Sequence, residues 1–312
     1  MTQPEKPKVI VICGPTGIGK TEVSLSLAEA FNGCIISADS MQIYRHMDIG
    51  TAKPDDGERS RVSHYMMDVA DPDEPYDAAR FSAEGRRAID QIRALHKVPF
   101  VVGGTGFYIR ALLHGLFDAR SVDPAITRRL ERTAEADGIQ ALHGRLAACD
   151  PAAAVHIHPN DAYRIIRALA VFETSGLPAS AIQKAHGFNE HPFDSLRICL
   201  NMDRAALYGR INRRVDAMVA GGLLDEVKHL LEMGYAADLR PMQAIGYRHM
   251  TDFIEGRVNW EDSISLLKRD TRRFAKRQLT WFRREPDMIW VDIEEKETIS
   301  ELIGGFLHPR IF

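Results

Sequence analysis

The sequence predicts an α/β fold in which a parallel β-sheet core with helices on both faces is interrupted by a helical insertion and followed by a helical C-terminal section. Short apolar runs alternate with helical patterns over the first third of the chain. A stretch of about 75 residues then has no strand-like run, and a strand-like run returns after it. Buried strands separated by helices are typical of βαβ units, which build parallel sheets. The predicted division is 1–117 for the first part of the core, 118–194 for the insertion and 195–312 for the second part of the core.

Each element of the core is predicted from apolar runs and their spacing. Val9–Cys13 consists of five apolar residues in succession and is typical of a buried strand. The elements that follow before the insertion are helix Thr21–Phe31, strand Cys34–Ser37, helix Asp77–Leu95 and strand Pro99–Val102. Those after it are strand Leu196–Leu200, helices Arg204–Gly221, Leu223–Met233 and Asp262–Trp281, and a last strand Met288–Val291. The insertion is expected to be helical, because Pro124–Cys149 is rich in Ala, Leu, Arg and Glu and Ala162–Thr174 has a helical apolar stripe.

The composition indicates a globular protein of the cytoplasm. Of the 312 residues, 45% are hydrophobic and 27% are charged, which excludes a disordered, collagen-like or coiled-coil chain. The apolar runs are far shorter than the ~18 residues that a membrane span needs, so no membrane partner is expected. Residues 1–8 are polar and show no signal-peptide pattern. The four cysteines lie far apart and are expected to be reduced thiols without zinc.

Positive charge is concentrated near the end of the chain. The whole protein has a formal charge of −3, yet Lys268–Arg284 contains eight basic residues and one acidic residue, Asp270, which gives +7 over 17 positions. Phe274, Trp281 and Phe282 are interleaved with these charges. Such a segment fits neutralisation of a nucleic-acid backbone together with stacking on bases. The alternative is an amphipathic helix with a solvated charged face.

A phosphate-binding loop follows the first predicted strand. The segment GPTGIGKT matches GxxxxGK[ST] at every required position and opens a predicted helix, which is the context that this P-loop motif needs. Its backbone N–H groups and the helix N-terminus attract phosphate, its lysine neutralises charge, and its last hydroxyl can ligate Mg²⁺. The loop alone does not decide whether the bound diphosphate belongs to a nucleotide. The predicted diphosphate-binding residues are Gly14, Pro15, Thr16, Gly17, Ile18, Gly19, Lys20 and Thr21.

Two further strands are followed by residues suited to chemistry. Asp39 comes two residues after the second strand, and Thr105 lies in the glycine-rich segment Gly103–Gly106 after the third. Ligands bind at the carboxyl edge of a parallel sheet, so both residues are expected beside the P-loop. Asp39 would be a metal-associated carboxylate, a general base or a cap of the following turn. The glycine-rich segment would approach a ligand closely or form a plain turn.

Eight segments together resemble one family, the tRNA dimethylallyltransferases, also called tRNA isopentenyltransferases. A P-loop is shared by many enzymes, whereas the combination of these segments is shared by very few. The chain resembles the compact bacterial type, since no Cys/His zinc-finger extension follows the basic segment. The segments are GPTGIGKT (14–21), ADSMQIY (38–44), DIGTAKP (48–54), GGTGFYIRALL (103–113), HPNDAYRIIRALAVFETSG (158–176), INRRVDAM (211–218), QAIGYR (243–248) and KRQLTWFRR (276–284).

The resemblance implies a reaction and roles for particular residues. It implies transfer of the dimethylallyl group from dimethylallyl diphosphate to N6 of the adenine immediately 3′ of the anticodon in tRNA. By this resemblance Asp39 is the general base, Lys20, Thr21 and Arg214 act on the diphosphate with Mg²⁺, and the insertion clamps the anticodon stem. It also implies a set of residues that contact tRNA. They are Asp39, Ser40, Met41, Gln42, Thr105, Tyr163, Arg164, Ile165, Ile166, Arg167, Gln243, Ala244, Ile245, Gly246, Tyr247, Arg248, Lys276, Arg277, Gln278, Leu279, Thr280, Trp281, Phe282 and Arg283.

The chemistry of the reaction suits these residues. The exocyclic amine of adenine is a poor nucleophile, so the reaction depends on stabilising the departing diphosphate and on removing the proton of the amine. Three alternatives stay open: a P-loop kinase of a small metabolite, a prenyltransferase of free adenine nucleotides, and a nucleic-acid-binding module without activity. The kinase leaves the basic segment unexplained, and the nucleotide prenyltransferase has little need of a tRNA clamp. A monomer is expected, because core and insertion of one chain could grip one tRNA.

Overall fold

The computed structural model describes residues 5–116, 122–187 and 189–309, which form two compact units. The first unit comprises the described residues up to Leu113 and from Pro192 onward, and the second comprises those within His114–His191. The predicted border between residues 117 and 118 lies outside the described residues. The second border lies at residues 191–192, three residues before the predicted one.

A six-stranded parallel sheet forms the centre of the first unit, which confirms the predicted fold class. Its strands are β1 (Lys8–Cys13), β2 (Gly33–Ser37), β3 (His64–Tyr65), β4 (Val98–Gly103), β5 (Asp194–Asn201) and β6 (Ile289–Asp292). Their order is β3-β2-β4-β1-β5-β6. In the centre, Ile10 is in register with Phe100 of β4 and Leu196 of β5. The carboxyl ends of β1, β2 and β4 therefore meet at one edge of the sheet.

Four helices connect the first four strands and follow the fourth. They are α1 (Lys20–Ala30), α2 (Asp56–Arg61), α3 (Ala78–Ala94) and α4 (Gly106–His114). The predicted helices at α1 and α3 are confirmed. Asp77 caps α3, since its carboxylate accepts hydrogen bonds from the N–H groups of Ala79 and Arg80. Phe81 of α3 stacks on Tyr108 of α4 with ring centroids 4.5 Å apart.

The second unit is helical throughout its described part. Its helices are α5 (Pro124–Asp137), α6 (Ile139–Cys149), α7 (Pro151–His156), α8 (Ala162–Ser175) and α9 (Ala179–His186). They enclose a separate core that includes Leu130, Leu142, Leu146, Ile165 and Leu169. Among the described residues no single helix is long and apolar enough to cross a membrane. Only α8 and α9 taken together reach that length and composition, and the two helices are bent by 80° relative to each other.

Five helices complete the first unit. They are α10 (Arg204–Ala220), α11 (Leu223–Glu232), α12 (Tyr247–Ile254), α13 (Trp260–Phe282) and α14 (Lys296–Leu307). Helices α10, α11 and α13 were predicted, whereas α12 and α14 were not. Helix α13 buries Ser263, Leu267, Ala275, Gln278 and Phe282 along one side. Successive spacings of four, eight, three and four residues place these side chains on one face, which leaves most of the basic residues on the other.

Candidate active site at the carboxyl edge of the sheet

The phosphate-binding loop joins β1 directly to α1. It passes through left-handed backbone at Gly17 (φ 78°) and Gly19 (φ 104°), which favours glycine at both positions. A Cβ atom at Gly17 would lie 2.8 Å from Cγ1 of Ile211, so the loop packs closely on α10. The loop and the N-terminus of α1 therefore lie at the carboxyl edge of the sheet, where a P-loop binds an anion.

Lys20 is folded back onto the loop. Its Nζ donates hydrogen bonds to the carbonyl oxygens of Gly14, at 3.0 Å, and Pro15, at 2.9 Å. Burial and, after it, the positive charge of Arg214 lower the pKa of Lys20 from 10.5 to about 8, although the carboxylate of Asp39 opposes both effects. A lysine with this pKa is still mostly protonated at pH 7. A bound diphosphate would favour the protonated form further, because its negative charge would raise the pKa.

Two arginines of α10 add positive charge to the same place. Burial lowers the pKa of Arg214, and Asp39 opposes this shift. A guanidinium stays protonated in proteins, so Arg214 remains a cation. Nη2 of Arg210 lies 2.8 Å from the position that a Cβ atom of Gly19 would occupy. Arg210 was not predicted; its spacing of four residues from Arg214, which puts both on one face of α10, was the available signal.

Asp39 lies where β2 leaves the sheet. Its Oδ1 accepts a hydrogen bond from the N–H of Met41 at 2.9 Å. The N–H of Ser40 donates to Oγ1 of Thr105 at 3.0 Å, and the N–H of Thr105 donates to the carbonyl of Ala38 at 3.1 Å. The segments after β2 and β4 are thus hydrogen-bonded together, and the structure brings Asp39, Ser40 and Thr105 to one place.

Gln42 uses both ends of its amide inside the protein. Its Oε1 accepts a hydrogen bond from the hydroxyl of Ser37 at 2.8 Å. Its Nε2 donates to the carbonyls of Thr51, at 3.3 Å, and Ala52, at 3.2 Å. Gln42 therefore connects the segment of Asp39 to the DIGTAKP segment, and its amide is committed to that role.

Glu226 of α11 anchors the DIGTAKP segment. Its carboxylate accepts hydrogen bonds from the N–H groups of Asp48, Ile49 and Gly50 at 2.6–3.0 Å. It also accepts one from the hydroxyl of Tyr247 at 2.7 Å. Sequence reasoning missed Glu226, because its partners in this segment lie 176–178 residues away in the chain and no local pattern identifies it.

The segments that the resemblance assigns to tRNA are only partly exposed. Some of the predicted residues have buried side chains, because each helical stretch exposes one face only. Buried residues are Ile165, Ile166, Gly246, Tyr247, Gln278 and Phe282. Exposed residues are Tyr163, Arg164, Gln243, Lys276, Arg277, Thr280 and Arg283. Partly exposed residues are Asp39, Ser40, Met41, Gln42, Thr105, Arg167, Ala244, Ile245, Arg248, Leu279 and Trp281.

The basic segment of α13 divides into two halves. In the first half the charges have partners within the protein: Lys268 pairs with Asp216, and Arg269 and Arg273 pair with Asp270. In the second half no ion pair joins Lys276, Arg277, Arg283 or Arg284 to a described residue. A groove of about 440 Å³ runs along this half, lined by Arg273, Lys276, Arg277, Thr280, Trp281 and Arg284. The surface suited to a polyanion is therefore shorter than the predicted segment.

A larger cavity lies elsewhere, and the basic residues that line it are paired with aspartates. It measures about 590 Å³ and follows residues 45–68. Three basic residues line it, and each pairs with an aspartate: Arg45 with Asp71, and Lys53 and Arg59 with Asp68. Volume alone therefore does not locate the site; the P-loop and the charges around it do.

Comparison with known proteins identifies the family. A model described as IPP transferase matches residues 42–285, and one described as isopentenyl transferase matches residues 7–69. The first match covers more than half of the chain. This chain belongs to the IPP transferase family. The family expected from the eight segments is thereby confirmed.

Relatives of this family are similar over nearly the whole chain. A tRNA dimethylallyltransferase of Desulfosudis oleivorans is 54% identical over 305 residues, covering 97% of both chains. Among solved structures, a tRNA isopentenylpyrophosphate transferase from Bacillus halodurans has a TM-score of 0.72 at 42% identity, covering 97% of both chains. A eukaryotic dimethylallyltransferase acting on tRNA has a TM-score of 0.79 at 33% identity, covering 92% of this chain and 74% of that one. The α/β fold is shared with these enzymes.

Proposed function

We propose that this protein is an enzyme that transfers the dimethylallyl group of dimethylallyl diphosphate to tRNA, at N6 of the adenine immediately 3′ of the anticodon. One observation carries the proposal: Lys20 lies against the P-loop, and both Lys20 and Arg214 are close enough to Asp39 to interact with it electrostatically. Two cations suit a departing diphosphate, and a carboxylate beside them suits proton removal. The names of the relatives, tRNA dimethylallyltransferase and tRNA isopentenylpyrophosphate transferase, support the same reaction.

The P-loop stabilises the leaving group. When N6 attacks the first carbon of the dimethylallyl group, the bond from that carbon to the diphosphate oxygen breaks and its electron pair leaves with the diphosphate. Lys20, Arg214 and the N–H groups of the loop neutralise the charge that develops there. In other enzymes, removing one such preorganised donor lowers the rate by ~10²–10³.

Asp39 accepts the proton of the attacking amine. Bond formation makes the N6 nitrogen cationic and therefore acidic, so a nearby carboxylate can take one of its protons and restore neutrality. Oδ1 of Asp39 already accepts a hydrogen bond from Met41, which orients the carboxylate and leaves Oδ2 for this proton. General-base catalysis of this kind contributes ~10²–10⁴ in rate.

Mg²⁺ is the proposed cofactor. Thr21 lies in the first turn of α1, and its hydroxyl and the phosphate oxygens of the substrate are hard donors of the kind that Mg²⁺ prefers. Among the described residues there is no group of three or more His, Cys, Asp or Glu side chains that could hold a metal. The Thr21 hydroxyl and the phosphate oxygens therefore fit an ion that would bind mainly through the diphosphate. Such an ion would neutralise part of the charge of the leaving group.

The exposed half of α13 is the proposed binding surface for the tRNA backbone in the first unit. Its cations are unpaired with described residues, and Thr280 and Trp281 lie among them. Cations neutralise phosphates, and aromatic rings stack on unpaired bases such as those of an anticodon loop. We further propose that the enzyme is cytoplasmic. We also propose that it acts as a monomer, since the P-loop, Asp39 and the α13 groove belong to one chain.

A transfer assay tests the proposed function. Purified protein is incubated with Mg²⁺, isotope-labelled dimethylallyl diphosphate and either total tRNA or free AMP, and the nucleosides are then separated. We expect label in N6-modified adenosine from tRNA and none on AMP. Label on AMP alone would point to a nucleotide prenyltransferase. ATP turnover with no use of dimethylallyl diphosphate would point to a kinase.

A further inference from the structure

Gln278 has a different environment from its neighbours in the basic segment. Its side chain is only 7% exposed, whereas Lys276 and Arg277 are exposed. It belongs to the buried face of α13, together with Ala275 and Phe282. A side chain in this position is not available to a macromolecule at the surface.

The amide of Gln278 bridges two loops of the candidate active site. Its Oε1 accepts a hydrogen bond from the N–H of Thr16 in the P-loop at 2.8 Å. Its Nε2 donates to the carbonyl of Gly104, in the segment after β4, at 2.9 Å. A Cβ atom at Gly104 would lie 2.2 Å from this nitrogen, so the close approach requires glycine there.

The segment of Gly104 is in turn connected to Asp39. Thr105, the next residue, hydrogen-bonds to Ala38 and Ser40, on either side of Asp39. Gln278 therefore connects the loop that holds the leaving group to the segments that hold the general base. Misplacement of reacting groups by about 1 Å can cost ~10² in rate, so the spacing between these loops matters for the reaction.

We propose that Gln278 is a positioning residue that sets the spacing between the P-loop and the Asp39 segment, and that it does not bind tRNA. This inference rests on the proposed function. Glutamine suits the task because its amide offers an acceptor and a donor in one plane. A glutamate at this position could accept from Thr16 but, while ionised, could not donate to Gly104; a lysine could donate but not accept.

Two variants and a matched control test the proposal. Gln278→Met keeps the approximate shape and removes both hydrogen bonds. Gln278→Glu keeps the acceptor and introduces a carboxyl that can donate to Gly104 only when protonated. The control, Gln91→Met, makes the same chemical change at an exposed position of α3. Binding of inorganic diphosphate with Mg²⁺ is measured without RNA, binding of tRNA is measured without donor, and kcat and the KM for dimethylallyl diphosphate are measured in the transfer assay.

The expected results separate positioning from RNA binding. In Gln278→Met, diphosphate binding should weaken about tenfold, which corresponds to losing one net hydrogen bond, and kcat should fall while tRNA binding is unchanged. In Gln278→Glu, kcat relative to wild type should rise as the pH is lowered, because protonation restores the donor to Gly104. This pH profile also tests the proposal if the methionine variant folds poorly.

Opposite results would overturn the inference. Weakened tRNA binding with unchanged kcat and unchanged diphosphate binding would place Gln278 at the RNA surface. Wild-type behaviour of both variants would show that the bridge has no role. If the wild-type protein transferred no dimethylallyl group, the proposed function would fail, while the diphosphate-binding measurement would still decide whether Gln278 positions the P-loop.

Discussion

At the scale of single residues, Asp39 has one oxygen engaged in its own turn and one available for chemistry. Asp39→Asn keeps the size of the side chain and an acceptor for the N–H of Met41, but removes the base. We expect single-turnover transfer to fall by ~10²–10⁴ with tRNA binding unchanged. The control is Asp90→Asn, at an exposed position of α3. Near-normal transfer in Asp39→Asn would exclude Asp39 as the base.

The pKa of Lys20 gives the diphosphate site a dependence on pH. Since burial and the charge of Arg214 lower this pKa to about 8, the free enzyme loses the ammonium charge as the pH rises through 8. We therefore expect diphosphate binding to be constant below about pH 7 and to weaken between about pH 8 and 9.5, relative to Lys20→Arg, whose guanidinium stays charged. Titration calorimetry of both proteins against the same diphosphate solutions removes the ligand's own ionisation from the comparison. Parallel pH profiles would show that Lys20 does not titrate in this range.

Residues of the site differ in how far the sequence predicts them. Lys20, Thr21, Asp39 and Thr105 could be predicted because each closely follows a strand in a recognisable segment. Residues that hold the neighbouring segments in place could not be predicted, because the contacts of Glu226 with Gly50 and of Gln278 with Thr16 join residues 176 and 262 positions apart. Such contacts depend on how α11 and α13 pack within the first unit, which no local pattern specifies.

At the scale of elements, the second half of α13 is the surface that should control tRNA affinity. Changing Lys276 and Arg277 to Glu should weaken tRNA binding and reduce the salt dependence of log Kd by about 1 for each phosphate that is no longer neutralised. Filter binding over a range of KCl concentrations measures both quantities. The control, Arg87→Glu with Arg93→Glu, makes the same change in net charge at exposed positions of α3. Equal effects of the two pairs would mean that only the total charge matters.

Helix α11 should stabilise the DIGTAKP segment through one carboxylate. Glu226→Gln replaces an ionic acceptor of three backbone N–H groups by a neutral one and brings an NH₂ group towards them. We expect a loss of about 1–3 kcal/mol in the free energy of unfolding, measured in urea. Glu232→Gln, at the exposed end of the same helix, is the control. Equal stability of both variants would contradict an anchoring role for Glu226.

Most of the missed elements are short, although α14, which was also missed, has twelve residues. Strands β1, β2, β4, β5 and β6 contain recognisable apolar runs, whereas β3 has two residues and no run to detect. Helices α2 and α12 have six and eight residues, too few for a clear period. The basic face of α13 was predicted, but the pairing of Lys268 with Asp216 is a tertiary contact with α10.

At the scale of the whole molecule, the order of the sheet explains why residues from distant segments act together. Strand β1 lies between β4 and β5, and β2 lies beside β4, so the P-loop, the Asp39 segment and the Thr105 segment leave the sheet at neighbouring positions. The entire second unit is inserted between α4 and β5, and it has its own core. The sequence predicts this organisation because the strand-free insertion interrupts an otherwise continuous βαβ pattern.

The position of the modified base decides whether the proposed reaction is correct. After reaction of wild-type protein with dimethylallyl diphosphate and a single purified tRNA that has adenine immediately 3′ of its anticodon, ribonuclease fragments are sequenced by mass spectrometry. We predict one dimethylallyl group on that adenine, none when the tRNA carries guanine there, and a ~10²–10⁴-fold slower modification when Asp39→Asn replaces the wild type. Modification at other adenines, or an unmodified tRNA in the presence of donor and Mg²⁺, would contradict the proposed function.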